Sequence, residues 1–94
     1  MINPTNLQFG LMITQSVKYA LTCSNHVPAM TCDYIKPLIQ YLDLSILYIL
    51  EKDISKAHKE HTIQDIGCRG EWLALRNDIQ REIDRRKGNA NVTV

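Results

Sequence analysis

Histidines and cysteines are the residues of this chain whose chemistry is easiest to recognise, and their spacing is the first question. His58 and His61 stand three residues apart in "KAHKEH", so on a helix both rings would reach one metal ion. The zincin pattern is His-Glu-x-x-His, which this segment does not match. Cys23 and His26 form a C-x-x-H step with Cys32 close behind, a spacing that matches no recognised metal site. The sequence favours a solvated helix end that carries histidines, and we assign no metal ligand and no cofactor.

Carboxylates occur in two groups, but neither group has the form of a catalytic pair. The groups are Glu51 with Asp53, and Asp78 with Glu82 and Asp84. Lysines and arginines are interspersed with both on polar helix surfaces, whereas an acid–base pair needs a concave and partly dry pocket. The sequence also contains no glycine-rich phosphate loop and no nucleophile elbow. We therefore expect a protein that is not an enzyme.

The cysteines indicate a reducing environment. Cys23, Cys32 and Cys68 are odd in number and lack the spacing of a disulfide framework. Cys68 lies near a predicted helix start, where the pKa of a thiol can be lowered, but a buried, unreactive thiol is the commoner outcome. No positive charge precedes the N-terminal apolar run, unlike the pattern of a secretory signal. We expect a cytoplasmic protein.

Composition and charge limit the classes of protein further. The 94 residues are 45% hydrophobic and 22% charged with a net charge of +1, which suits one domain with one core. So small a net charge gives no overall field to attract nucleic acid or an anionic membrane. The strongest apolar run, residues 38–50, is shorter than the ~20 residues that span a bilayer. Because long stretches contain neither glycine nor proline, the sequence predicts an all-α fold.

The first predicted helix begins in "NPTNLQ" and ends near residues 23–25. Asn3 or Thr5 can cap its N-terminus, and Pro28 blocks its continuation. At about 100° per residue one set of side chains shares a face that we predict to be buried. The set is Phe9, Met12, Ile13, Ser16, Val17 and Ala20. Gly10 is small enough to let a neighbouring helix approach closely.

The second predicted helix is long and central. Pro37 disfavours helical geometry at Lys36, so we place the start of this helix at Pro37 and its end near His61. The segment between contains no helix breaker, and about 25 residues at 1.5 Å each give a length of about 37 Å. Residues 24–36 are then a connection.

The third predicted helix lies between Gly70 and Gly88. Its apolar residues repeat at spacings of three and four, which is typical of a narrow seam against one partner helix. The seam consists of Trp72, Leu75, Ile79 and Ile83. A short linker makes the second and third helices antiparallel neighbours. Residues 1–88 form one domain in this interpretation, and residues 89–94 form a flexible tail of unassigned role.

The central helix has more apolar surface than one core needs. Tyr41, Leu44 and Tyr48, at i, i+3 and i+7, form a stripe almost opposite its main apolar face. The first helix can cover this stripe, which would make it ordinary core. Alternatively the stripe contacts another protein chain, because aromatic and aliphatic side chains at helical spacing are common at interfaces. We predict an interface at these three residues, with Trp72 as a further anchor, and a symmetric homodimer as the commonest form of such pairing.

The basic end of the third helix is the alternative binding site. Arg81, Arg85, Arg86 and Lys87 are concentrated there and would contact a nucleic-acid backbone. Acidic residues are interspersed with them, which a recognition helix normally avoids. A salt-bridged, solvated face matched to the helix dipole accounts for the same pattern.

The sequence as a whole predicts three antiparallel helices around a long central one, pairing into a helical-bundle homodimer. The predicted function is non-catalytic: an adaptor, regulator or inhibitor that binds another protein through an apolar helix face, of a kind that mobile elements often encode. A nucleic-acid-binding accessory protein is the alternative. Neither reading involves a cofactor, a metal ion or a membrane.

Overall fold

The computed structural model describes the backbone of residues 6–92 and the side chains of residues 8–88. The predicted capping residues Asn3 and Thr5, and the last two residues of the tail, lie outside these ranges. Four α-helices are described: α1 (Asn6–Leu21), α2 (Val27–Ile35), α3 (Leu44–Lys59) and α4 (Arg69–Val92). Two 3₁₀ helices, Lys36–Tyr41 and Ile66–Cys68, precede α3 and α4. The all-α prediction is confirmed, but four helices take the place of the three that we predicted.

The helices pack as two antiparallel hairpins. α1 and α2 form the first hairpin, joined by a turn in which Asn25 has a positive φ of 66°. α3 and α4 form the second, since Tyr48 contacts Lys87 near one end of α3 and His58 contacts Arg69 near the other. The antiparallel arrangement predicted for the last two helices is therefore confirmed. α1 also packs along α3, and α2 packs on α4.

The long central helix is the main error of the sequence prediction. The chain is extended at Leu42, with φ −80° and ψ 145°, and α3 begins only at Leu44. Asp43 precedes α3, and its carbonyl accepts hydrogen bonds from the amides of Ile46 and Leu47 at 3.0 and 3.1 Å. Its carboxylate accepts the hydroxyl of Ser45 at 2.6 Å. The residues before this break form a 3₁₀ helix whose last carbonyls contact α4.

α2 occupies a segment that the sequence analysis left as a connection. Pro28 lies in the first turn of α2, where a missing amide hydrogen costs nothing because that amide has no partner within the helix. The proline that was predicted to block α1 therefore lies at the start of the next helix, and α1 has already ended at Leu21. Pro28, Cys32 and Ile35 are its buried residues.

The core is formed by one side of each helix. The predicted seam of α4 is confirmed, since Trp72, Leu75 and Ile79 are 0% exposed and Ile83 is 1% exposed. The buried face of α1 is rotated from the predicted one. Thr14 and Leu21 are inside, whereas Met12 and Ser16 are exposed.

Two glycines have different roles, one in the packing of α1 and one inside α4. Gly10 lies against Ile46 so closely that a Cβ on Gly10 would come within 2.3 Å of its Cγ1. α4 continues through Gly88 to Val92, beyond the predicted end at Gly88. Glycine ends a helix most often in a left-handed conformation, and Gly88 does not have a positive φ.

Within the described residues, no helix is both long enough and apolar enough to cross a membrane.

Candidate interaction surfaces

The predicted stripe is divided between two elements. Tyr41 ends the first 3₁₀ helix, whereas Leu44 and Tyr48 belong to α3. Tyr41 is 68% exposed and Tyr48 is 41% exposed, while Leu44 is half-buried and packs against the core. The three residues therefore do not form one helical stripe, although both tyrosines reach the surface.

The ring of Tyr48 lies beneath a cation. The Nζ atom of Lys87 is 5.5 Å from the centroid of this ring, within the range of a cation–π interaction worth about 0.5–1 kcal/mol at an exposed site. The contact joins α3 to the C-terminal part of α4. We call Tyr48 and Lys87, together with the exposed Tyr41 of the preceding 3₁₀ helix, the tyrosine surface.

Trp72 belongs to the core and not to the surface. Its side chain is 0% exposed, so it has no area to offer a partner. Its Nε1 atom has no hydrogen-bond partner among the described residues. The interior position follows from the seam, in which Trp72 is the first of four residues. We therefore withdraw it from the predicted partner-binding set.

The arginines of the basic end are engaged with acidic residues of α4. Arg81 forms an ion pair with Asp78. Arg85 contacts both carboxylate oxygens of Glu82, at 3.0 and 2.5 Å. Arg86 also contacts Glu82, through Nε at 2.7 Å. A nucleic-acid backbone would have to compete with these intramolecular partners.

Arg86 joins α4 to the break before α3. Its Nη1 donates to the carbonyl of Leu42 at 2.8 Å, and its Nη2 donates to the carbonyls of Gln40 and Ile39 at 3.1 and 3.3 Å. These carbonyls lie at the end of the first 3₁₀ helix, where backbone acceptors commonly lack partners; the carbonyl of Ile39 also accepts the amide of Leu42 at 3.3 Å. Arg86 is therefore a structural cap and not a free cation. This role has no local signal in the sequence, because the contacts span more than 40 residues of chain.

The electrostatics of this cluster centre on one carboxyl group. The pKa of Glu82 is lowered to about 2, and the largest cause is the hydrogen bond from Arg85. The hydrogen bond from Arg86 and the charges of both arginines lower it further, whereas burial opposes the shift. Glu82 is only 12% exposed. It therefore holds two guanidinium groups in place from a largely buried position.

A second apolar surface lies on the first hairpin, and the sequence analysis missed it. Met12 and Tyr19 of α1 and Met30 and Tyr34 of α2 are each 63–68% exposed. Between the two helices runs a groove of about 270 Å³. Its lining is Ile13, Ser16, Met30, Thr31, Tyr34 and Ile35. We call the four exposed residues with this groove the α1–α2 face.

The α1–α2 face was missed for two physical reasons. Residues 24–36 were interpreted as a connection, so the outward side of α2 was never projected. Met12 was placed in the core, because α1 is apolar around most of its circumference and its hydrophobic pattern does not select one face sharply. The low density of charge before residue 50 is the signal that could have indicated such a surface.

The two histidines in "KAHKEH" are not arranged as metal ligands. His61 lies beyond α3 with a positive φ of 57°, so it does not share a helix face with His58. The Nδ1 atom of His58 is 3.5 Å from Nη2 of Arg69. Among the described residues, no group of three or more histidine, cysteine or acidic side chains is arranged to hold a metal ion.

The described cysteines are free thiols. Cys32 and Cys68 are buried. Burial is the largest cause that raises the pKa of Cys32 to about 12, and burial likewise raises the pKa of Cys68. A raised pKa leaves little thiolate at neutral pH, so neither has the character of a reactive cysteine.

Comparison of the chain with protein-family models, with curated protein sequences and with solved structures gives no match. The function is therefore argued from its residues and their geometry alone.

Proposed function

We propose that the protein acts without catalysis, as an adaptor, regulator or inhibitor that binds another protein through the tyrosine surface. The observation that carries the proposal is the exposure of Tyr41, which is 68% accessible at the corner between the first 3₁₀ helix and α3. Tyrosine is enriched among the residues that dominate binding energy, because it offers a large contact area with few rotatable bonds.

The surroundings of the tyrosine surface suit a polar partner. Lys87 lies over the ring of Tyr48, and Arg85 extends from the same part of α4 with its side chain 57% exposed. Interfaces between separately folded proteins commonly combine aromatic anchors with a charged, hydrated rim. The partner in this proposal therefore presents an apolar recess with a polar, hydrated border.

Nucleic acid is the weaker candidate as a ligand. Of the four residues of the basic end, the three arginines contact Asp78 or Glu82, and the lysine contacts Tyr48. Each phosphate contact would replace an existing one, which reduces the gain from counterion release. We expect no mobility shift of DNA or RNA at low salt; a shift that disappears in Arg81→Ala with Arg85→Ala would favour this alternative.

The proposal is tested by affinity capture from a lysate of the source organism, followed by binding measurements with the purified partner. Tyr41→Ala with Tyr48→Ala is expected to weaken the partner's affinity about 30-fold or more, the equivalent of about 2 kcal/mol for hot-spot truncation. Leu44 is left unchanged because it packs against the core.

Ile66→Ala is the matched control, since Ile66 is a large apolar residue that is 74% exposed outside the tyrosine surface. It is expected to retain full affinity. A partner that binds the double tyrosine variant as tightly as the wild type would show that the tyrosine surface is not the binding site.

A further inference from the structure

The α1–α2 face exposes an apolar patch as large as those that are often functional on small proteins. Its two methionines and two tyrosines are each about two-thirds exposed, which amounts to roughly 500 Å² of side-chain area. The largest apolar patch on a typical monomer is about 300–600 Å² and often functional. A groove about 270 Å³ in volume runs through this patch, so side chains of a binding partner can insert into the surface.

The total surface of the chain is also larger than a compact monomer requires. The chain exposes 6224 Å², whereas a compact monomer of its 10.8 kDa exposes about 5,500 Å². A stable interface of standard size buries about 800 Å² per partner, and the roughly 500 Å² of the four exposed side chains, with the groove beside them, would supply the larger part of that area. The molecule measures 45 × 35 × 19 Å, so its shortest dimension corresponds to about two layers of helix.

Charge indicates what covers this face. α1 and α2 together contain only Lys18 and Asp33 as charged residues, and every residue assigned to the face is uncharged. In a two-fold symmetric pair each residue near the axis lies close to its own copy, so a charged patch repels itself and an uncharged one does not. Homodimer interfaces are also more apolar than those between separately folded partners.

We infer that the α1–α2 face binds a second copy of this chain, forming a two-fold symmetric dimer with Met12 and Met30 near its centre. This goes beyond the proposed function, because the dimer face and the tyrosine surface share no residue. It also relocates the dimer contact from the stripe on which the sequence prediction placed it. The dimer carries two tyrosine surfaces and binds a bivalent partner with increased avidity.

The test is the molar mass of the full chain in solution, measured by sedimentation across nanomolar to high micromolar concentrations. The wild type is expected to sediment at twice the mass of one chain. Met12→Glu with Met30→Glu is expected to raise the dimer dissociation constant at least about 100-fold, because unpaired carboxylates are buried at the contact. Since both methionines are about two-thirds exposed, the variant monomer is expected to keep its helical circular dichroism.

Tyr19→Lys with Tyr34→Lys is the second variant, which places the opposite charge on the same face and is expected to be monomeric as well. Tyr41→Glu with Tyr48→Glu and the exposed control Ile66→Glu are expected to stay dimeric. A wild type that is monomeric at every concentration overturns the inference. So does a folded variant of the α1–α2 face that remains dimeric, or a tyrosine-surface variant that alone becomes monomeric.

Discussion

At the scale of single residues, Gly10 shows how one missing side chain positions a helix. Replacing it with alanine puts a Cβ within 2.3 Å of Ile46 Cγ1 and 2.8 Å of its Cδ1, and Ile46 is 0% exposed. The two helices must separate or Ile46 must change rotamer. Overpacking of this kind destabilises a folded protein by about 1–3 kcal/mol. We expect Gly10→Ala to lower the free energy of unfolding by that amount.

The measurement is urea unfolding followed by the fluorescence of Trp72, the single tryptophan of the chain. Gly88→Ala is the matched control, because a Cβ at Gly88 meets nothing within 4 Å and alanine is favoured over glycine inside a helix by about 1 kcal/mol. An equal effect of the two substitutions would show that α1 does not approach α3 as closely as described.

Glu82 gives the protein an acid-sensitive contact. Its pKa is lowered from 4.5 to about 2 in the folded chain, so its ionised form stabilises the fold at neutral pH. This contribution is fully present above about pH 4.5 and is lost as the pH falls toward 2. We expect Glu82→Gln to lower the free energy of unfolding at pH 7 by about 1–3 kcal/mol, the usual size for hydrogen bonds to charged groups.

The distinguishing measurement is the slope of stability against pH between 4.5 and 2, which is expected to be steeper for the wild type than for Glu82→Gln. Asp78→Asn is the control, because Arg81, the partner of Asp78, has a side chain that is 74% exposed and such pairs contribute at most about 1 kcal/mol. Parallel slopes for wild type and Glu82→Gln would contradict the assigned role.

At the scale of elements, the end of α3 is a Schellman motif with a histidine in the position that glycine usually occupies. Thr62 donates its amide to the carbonyl of Ala57 at 2.9 Å, and His61 donates to that of His58 at 3.2 Å. His61 adopts φ 57°, a conformation that costs a residue with a Cβ about 1 kcal/mol.

His61→Gly should therefore raise the free energy of unfolding by about 0.5–1 kcal/mol, because glycine adopts a positive φ without steric cost. His61→Val should lower it, since a β-branched residue is poorly tolerated there. Urea unfolding midpoints measure both. A loss of stability in the glycine variant would mean that the imidazole makes a stabilising contact that outweighs the backbone strain.

The elements also show where sequence reasoning succeeds and where it fails. The seam of α4 was predictable because its apolar residues stand on an otherwise polar helix, so only one face can be buried. α1 offered no such contrast, and Met12 was wrongly placed inside. The break at Leu42 had one weak local signal, Asp43, which is a residue type that commonly precedes a helix. The contacts from Arg86 that hold the break were not predictable, because they come from a distant part of the chain.

At the scale of the whole molecule, the uneven distribution of charge was informative from the sequence alone. Residues 1–50 carry four charged side chains, and the structure places the exposed α1–α2 face in this half. The basic residues after position 50 looked like a binding site in sequence, but Arg86 proved to be a cap and Arg81 and Arg85 have acidic partners. The exposure of a side chain and its ion-pair partners depend on tertiary structure. The spacing of these residues in the sequence could therefore identify them as candidates but could not show what they bind.

The contact between Arg86 and the break before α3 has a consequence for the order of folding. Its carbonyl acceptors lie 44–47 residues away along the chain, so this contact forms only after α4 docks. Until then, we expect the segment from Pro37 to Lys59 to favour one continuous helix, as its local sequence indicates. The corner that exposes Tyr41 would be among the last features to form. Pulsed hydrogen exchange during refolding would test this: the amides of residues 42–44 are expected to be protected early, as in one continuous helix, and a lack of protection there before α4 is protected would contradict it.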